Sequence, residues 1–264
     1  MSLLSAYLFL NYYVTLFFFG AFGLGLNLFG LCTGWLPATE STERFHRRLI
    51  RGHFALFVWW LGFGRLCRVH YHGLERIPSG GAVLVANHPG LMDITYLLAR
   101  VPEAVCIFKP AIRRNPVLGA AARRAGYLAS DGGSDLVRDA GAKVAAGHIL
   151  VVFPEGTRTP PGESLLPLKP GFVLIARRAD RPIQLIRISW NSNILVKGRA
   201  WWKLPQLPAR VNVSVGPALR VPPEADATRF AAEIEAWYRA QPPVADAAGH
   251  AAPFSPARPL SAAS

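Results

Sequence analysis

The sequence predicts an α/β fold: a mostly parallel sheet flanked by helices, preceded by an N-terminal membrane-embedded helical segment. Three observations carry this. Residues 1–39 contain no Asp, Glu, Lys or Arg, and the first charge is Glu40. From residue 67 onwards, short β-type runs alternate with helical ones, as strand–helix units around a parallel sheet do. Two of those runs, 82–86 (AVLVA) and 149–153 (ILVVF), are continuously apolar, which suits strands covered on both faces. A chain of 264 residues holds one substantial domain beside such a segment. The expected division is a membrane-anchoring helical segment at 1–66, an α/β domain at 67–240 and a disordered tail at 241–264.

Residues 3–36, rich in Leu, Phe, Tyr and Gly, exceed the roughly 20 residues that cross a bilayer core. They form either one tilted span or a hairpin within one leaflet, bent between Gly20 and Gly34, because glycine weakens a straight helix. Arg44, Arg47, Arg48 and Arg51 flank this segment and place the adjoining domain on the cytoplasmic side of an inner membrane. The aromatic stretch 54–63 is too short to span; it is an interfacial helix or a core helix of the domain. Strands are expected at 69–72, 82–86, 105–108, 149–153, 183–189 and 211–215. Helices are expected at 91–100, 117–124, 135–146, 172–178 and 227–240. The tail is rich in Pro, Ala and Ser and has little to bury.

Composition narrows the partners. Lys and Arg total 29 against 16 Asp and Glu, a net charge of +13, so a polyanionic partner is expected. The apolar N-terminus and the lack of any nucleic-acid motif favour membrane lipids and exclude nucleic acid. Cys32, Cys67 and Cys106 form no C-x-x-C pair, which argues against a disulfide framework or a metal site.

Chemistry gathers where the two apolar strands end, since ligands of open α/β sheets bind beyond the carboxyl ends of strands. The first strand runs into residues 87–93 (NHPGLMD), the second into 154–159 (PEGTRT). His88 can take a proton from an alcohol near neutral pH. Asp93, five residues on, can fix the imidazole tautomer once Pro89–Gly90 turn the chain back. Arg158 can grip a phosphate bidentately, Gly156 lets backbone approach a ligand, and Glu155 can pair with Arg158 or hold an acceptor hydroxyl. His70 and His72 share a strand face but have no third ligand. Segment 190–202, with Lys197, Arg199, Trp201 and Trp202, is a solvated loop or a contact for headgroups or a donor's phosphates.

Segments 87–93 and 153–159 resemble the NHxxxxD and FPEGTRS/T blocks of the glycerophospholipid acyltransferase family, in the family's order. The resemblance implies an acyl transferase in which His88 is the general base, Asp93 its partner, and Glu155, Gly156, Thr157 and Arg158 bind the acceptor. It implies no metal and no cofactor, with acyl-CoA or acyl carrier protein as co-substrate. A backbone amide near 89–91 is the expected oxyanion donor. Lys109, Arg113 and Arg114 are candidate phosphate or headgroup contacts. Two further family blocks depart from pattern: Gly132 stands where an arginine is expected, and 182–187 keeps only one of two prolines. The leading acceptor is 1-acyl-glycerol-3-phosphate, giving phosphatidate. The alternatives are a phosphate-free lysolipid such as a lyso-aminolipid, or a non-catalytic membrane-binding protein of the same fold.

Overall fold

The computed structural model describes residues 3–241; the expected disordered tail lies, beyond Gln241, outside the described residues. Helices α1 (Leu3–Cys32) and α2 (Glu40–Phe63) come first, followed by strands β1 (Cys67–His72) and β2 (Ala82–Ala86). Next are α3 (Asp93–Arg100), β3 (Val105–Phe108), α4 (Gly119–Arg124), β4 (Leu128–Ala129), α5 (Gly133–Ala145) and β5 (Ile149–Val152). Helix α6 (Gly171–Ala179), strands β6 (Ile183–Trp190) and β7 (Ala209–Leu219) and helix α7 (Ala227–Arg239) complete the chain.

The seven strands lie in the order β1-β7-β6-β2-β5-β3-β4, and every neighbouring pair is parallel except β6 with β7. The mostly parallel sheet read from the sequence is borne out. Strands β2 and β5 sit side by side at its centre, with Val85 opposite Val152. Alternate residues of each strand feed two apolar layers. Leu84, Ala86, Val151, Ile186 and Ile188 pack towards α2 and α3, whereas Val83, Val85, Leu150 and Leu185 pack towards α5, α6 and α7. That two-sided burial is why both central strands are apolar throughout.

Several element bounds differ from expectation for physical reasons. Helix α3 begins only at Asp93, because 87–92 are held in an irregular loop by the side chains of Asp93 and Glu155. Strand β7 is longer than the run at 211–215, since its pairing with β6 and β1 extends it at both ends. The aromatic stretch 54–63 is the second half of a single 24-residue helix, α2, started by a Thr39–Thr42 capping box.

Of the two readings of the N-terminal segment, the structure has the single helix and no bend at the glycines. Helix α1 runs unbroken through Gly20, Gly23, Gly25 and Gly30, and the chain turns at 33–36. Two of these glycines mark close approach rather than bending. A Cβ on Gly23 would meet the Val117 side chain at 2.5 Å, and one on Gly30 would meet the backbone of Ala120 and Ala121 at 3.0–3.2 Å. Asn27 Oδ1 accepts the N–H groups of Ala120 and Ala121 at 2.6 and 3.3 Å, satisfying orphan donors in the first turn of α4. Near the other end of α1, Asn11 donates to Gly64 O at 2.8 Å, and Tyr12 and Tyr13 donate to the carbonyls of Trp201 and Trp202. The helix is long and apolar enough to cross a membrane. It nevertheless lies against the rest of the protein along most of its length, presenting Leu10, Phe17, Phe18 and Phe22 outwards.

Arg47 is corrected. Instead of flanking a membrane at the surface, it is buried among Glu40, Glu43 and Glu103 and donates to Ala125 O at 3.1 Å. Lys143 of α5 reaches the same Glu43 at 2.7 Å, so this cluster fastens α2 to the sheet side of the molecule.

Candidate active site

The site is assembled where β2 and β5 end together. Asn87 continues β2 by side chain instead of backbone. Its Nδ2 donates to Ile188 O at 2.8 Å, and its Oδ1 accepts the Ile188 N–H at 2.7 Å, copying a ladder contact with β6. The backbone is thereby freed to turn, and His88 projects over the loop after β5. Its ring stacks on Phe153 with centroids 4.2 Å apart.

His88 Nδ1 lies 2.8 Å from Asp93 Oδ2. A carboxylate only accepts, so Nδ1 carries the proton and Nε2 is the basic nitrogen. Among the described residues, Nε2 has no protein hydrogen-bond partner. Asp93 is fully buried at the start of α3 and takes two more donors: Gly90 N–H to Oδ2 at 2.8 Å and Trp190 Nε1–H to Oδ1 at 3.2 Å. Burial pushes its carboxyl above the ordinary value, while His88, the Gly90 amide and the Trp190 indole oppose that rise by stabilising the charged form. Gly90 is required for space, because a Cβ there would overlap the Trp190 ring.

The second loop grips the first. Glu155 is buried; its Oε1 accepts the His88 N–H at 2.8 Å, and its Oε2 accepts Thr159 Oγ1–H at 2.7 Å and Leu166 N–H at 2.9 Å. Thr159 N–H closes the circuit on His88 O at 2.8 Å. Both backbone polar groups of His88 are thus fixed by the loop after β5.

The His88 ring opens onto a mostly apolar cavity of about 390 Å³, whose walls include Leu26, Ile50, Phe54, Leu91, Ile94 and Ile112. Helices α1 and α2 therefore contribute one side of it. Its polar residues include Lys109, Ser130, Thr157, Arg158 and Lys197. Arg158 is oriented by a 3.0 Å bond from Nη1 to Leu195 O.

A family model for Acyltransferase matches residues 68–189, which hold His88, Asp93 and the loop after β5. Residues 68–189 thus form an acyltransferase-type domain. The chain is 34% identical over 128 residues to the 1-acyl-sn-glycerol-3-phosphate acyltransferase of Helicobacter pylori, covering 46% of this chain and 54% of that protein. It is 29% identical over 126 residues to the coconut (Cocos nucifera) protein of the same name, covering 43% and 41%. The chain thus spans about half the length of the curated relatives it matches. The crystal structure of the Thermotoga maritima 1-acyl-sn-glycerophosphate acyltransferase PlsC superposes with a TM-score of 0.67, covering 88% of this chain and 93% of that one. At 24% identity, that likeness speaks for the fold.

Within this acyltransferase domain, the residues singled out in the sequence are distributed unevenly. His88, Gly156, Thr157, Arg158 and Lys109 line the cavity, and Asp93 lies directly behind His88. Glu155, expected at the acceptor, is instead turned beneath the loop, where its oxygens serve His88, Thr159 and Leu166. Arg113 and Arg114 are exposed and stand outside the cavity wall, because the short 3-10 turn Pro110–Arg114 directs Ile112 inwards. The amides expected to hold an oxyanion are engaged: Gly90 N–H with Asp93, and Leu91 N–H with Leu195 O at 3.4 Å. The contacts of Trp190 with Asp93 and of Phe153 with His88 are what sequence reasoning misses. The only cue to them is a tryptophan ending one apolar strand and a phenylalanine ending another.

Proposed function

We propose that this protein transfers a fatty acyl group from an acyl thioester to the free hydroxyl of a lysolipid, most closely 1-acyl-glycerol-3-phosphate, giving phosphatidate. The observation that carries the reading is the His88–Asp93 pair, 2.8 Å apart, with Nε2 open to an apolar cavity bordered by cations. In the reaction, the acceptor hydroxyl gives its proton to His88 Nε2 as its oxygen bonds to the thioester carbonyl carbon. The tetrahedral species collapses with cleavage of the C–S bond, and the imidazolium returns the proton to the leaving sulfur. Asp93 stabilises the imidazolium between the two steps. The donor is acyl-CoA or acyl carrier protein, and neither a metal nor a cofactor is used.

The protein works at a membrane, with α1 in one leaflet rather than across the bilayer. A helix of 30 residues is about 45 Å long. It is bonded to the domain from Tyr7 to Asn27, so a perpendicular span would carry the charged domain into the bilayer core. Exposed Phe17, Phe22, Trp59, Phe63, Trp201 and Trp202 suit an interfacial seat. The site then faces the cytoplasmic leaflet of an inner membrane.

A second acceptor class has its own support. Gly132 occupies the place of the expected arginine, and Arg113 and Arg114 do not line the cavity, so Lys109, Arg158 and Lys197 are the cations left for a phosphate. A phosphate-free lyso-aminolipid is the competing acceptor. Assaying the purified protein with a labelled acyl thioester decides between them: clear preference for lysophosphatidate supports the leading reading, and preference for a lyso-ornithine-type lipid replaces it. Absence of transfer to either acceptor leaves a membrane-binding protein of the same fold.

A further inference from the structure

A second, larger cleft of about 1190 Å³ lies behind the His88 loop, and the catalytic pair does not use it. Its inner end is formed by Asn87, Pro89 and Thr159, the immediate surroundings of His88, and by Trp190, whose indole holds Asp93. Its outer wall is the 190–206 segment, tied to α1 through the tyrosine bonds to Trp201 and Trp202. Lys197 lines both this cleft and the apolar cavity, so the two meet at that side chain.

The cleft is cationic without internal compensation. Among the described residues, Lys197, Arg199 and Lys203 form no ion pair, and Glu163 is the one carboxylate in the lining. Arg199 Nε is buried with no hydrogen-bond partner. By contrast Arg239, also at this cleft, is neutralised by Glu235 at 2.9 Å. Three uncompensated cations beside a polar cleft call for a multiply charged anion. The space is about three times that of the apolar cavity.

Resting on the acyl-transfer reading above, we infer that this cleft holds the phosphate-bearing carrier of the acyl donor. A phosphopantetheine-type arm lies along it, with its phosphates on Lys197, Arg199 and Lys203 and its thioester brought past Lys197 to His88. The donor's carrier then enters from water on one side of the His88 loop, while the apolar cavity receives lipid chain on the other.

The test is steady-state kinetics in detergent micelles on the full chain carrying Arg199→Gln and Lys203→Glu together, both outside the apolar cavity, with Lys203→Glu alone as a variant at an exposed position. Three donors are compared: palmitoyl-CoA, palmitoyl-acyl carrier protein, and palmitoyl-pantetheine, which keeps the thioester but has no phosphate. The expected result is a rise of about tenfold in KM for the phosphate-bearing donor that the wild type uses. The single variant shows a smaller rise, and the KM values for palmitoyl-pantetheine and the lysolipid stay put. A rise with palmitoyl-CoA assigns the cleft to the nucleotide-borne arm, and a rise confined to the carrier protein assigns it to the protein-borne one. Unchanged donor KM, an equal rise for palmitoyl-pantetheine, or a rise for the acceptor instead would overturn the inference. So would unchanged micellar kinetics with lost sedimentation on phosphatidylglycerol vesicles, since the cations would then read headgroups. A wild type that transfers from none of the three donors overturns the functional reading, and this one with it.

Discussion

The loops after β2 and β5 open alike in sequence: each begins polar and glycine-containing, and each succeeds a buried apolar strand. They do different work. The loop after β2 presents His88 to the cavity and backs it with Asp93. The loop after β5 divides its residues, turning Glu155 and Thr159 inward to hold the first loop and Gly156, Thr157 and Arg158 outward to the cavity. A single motif can thus mix residues that face the cavity with residues that hold another cavity residue in place. Side-chain type alone does not separate them.

That contrast can be broken at five places. His88→Ala should cut kcat by about a thousandfold while the thermal unfolding transition stays near wild type, since the step loses its general base. Activity that survives would remove His88 from the chemistry. Glu155→Ala should lower kcat by about a hundredfold through misplacement of His88. It should also cost about 2 kcal/mol of stability, because three buried donors lose their acceptor. A rise in acceptor KM with kcat and stability intact would return Glu155 to the substrate side.

Arg158→Ala should behave in the opposite way, raising acceptor KM about tenfold with a smaller change in kcat. Smallest is Trp190→Phe, which removes one donor to Asp93 and should slow kcat about fivefold, the value of one hydrogen bond. The indole N–H favours the charged carboxylate, so without it the Asp93 pKa rises further and the acid limb of the pH–rate profile moves to higher pH. An unmoved limb would reduce Trp190 to packing. Gly90→Ala should act through the same ring, and its cost should shrink in a Trp190→Ala background rather than add.

Much of this is legible in the sequence, for local reasons. Strands β2 and β5 announce themselves because both faces are buried, and the polar loops beyond them mark the sheet's carboxyl edge. The pairing of His88 with Asp93 spans five residues and needs one turn. The hidden features depend on distance along the chain. Trp190 meets Asp93 from 97 residues away, through the end of β6. Glu155 meets His88 from 67 away, through the β2–β5 register. Strand β4 has two residues, too few to show a period. Helix α2 reads as fragments because its first half is charged and its second aromatic, and Arg47 reads as a surface cation because nothing local reports the glutamate at position 103. Glycines in α1 read as weak points since their use, contact with Val117 and Ala120, lies about 90 residues on.

Asn27 has one more consequence. By accepting the first amides of α4, it makes α1 the cap of a helix in the catalytic body. The apolar helix is therefore not a detachable tether. Grafting a generic hydrophobic helix in its place would leave α4 uncapped and one side of the cavity open. Trimming the residues before Glu40 should likewise cost order around the cavity itself, so the apolar helix and the reacting part must be inherited together.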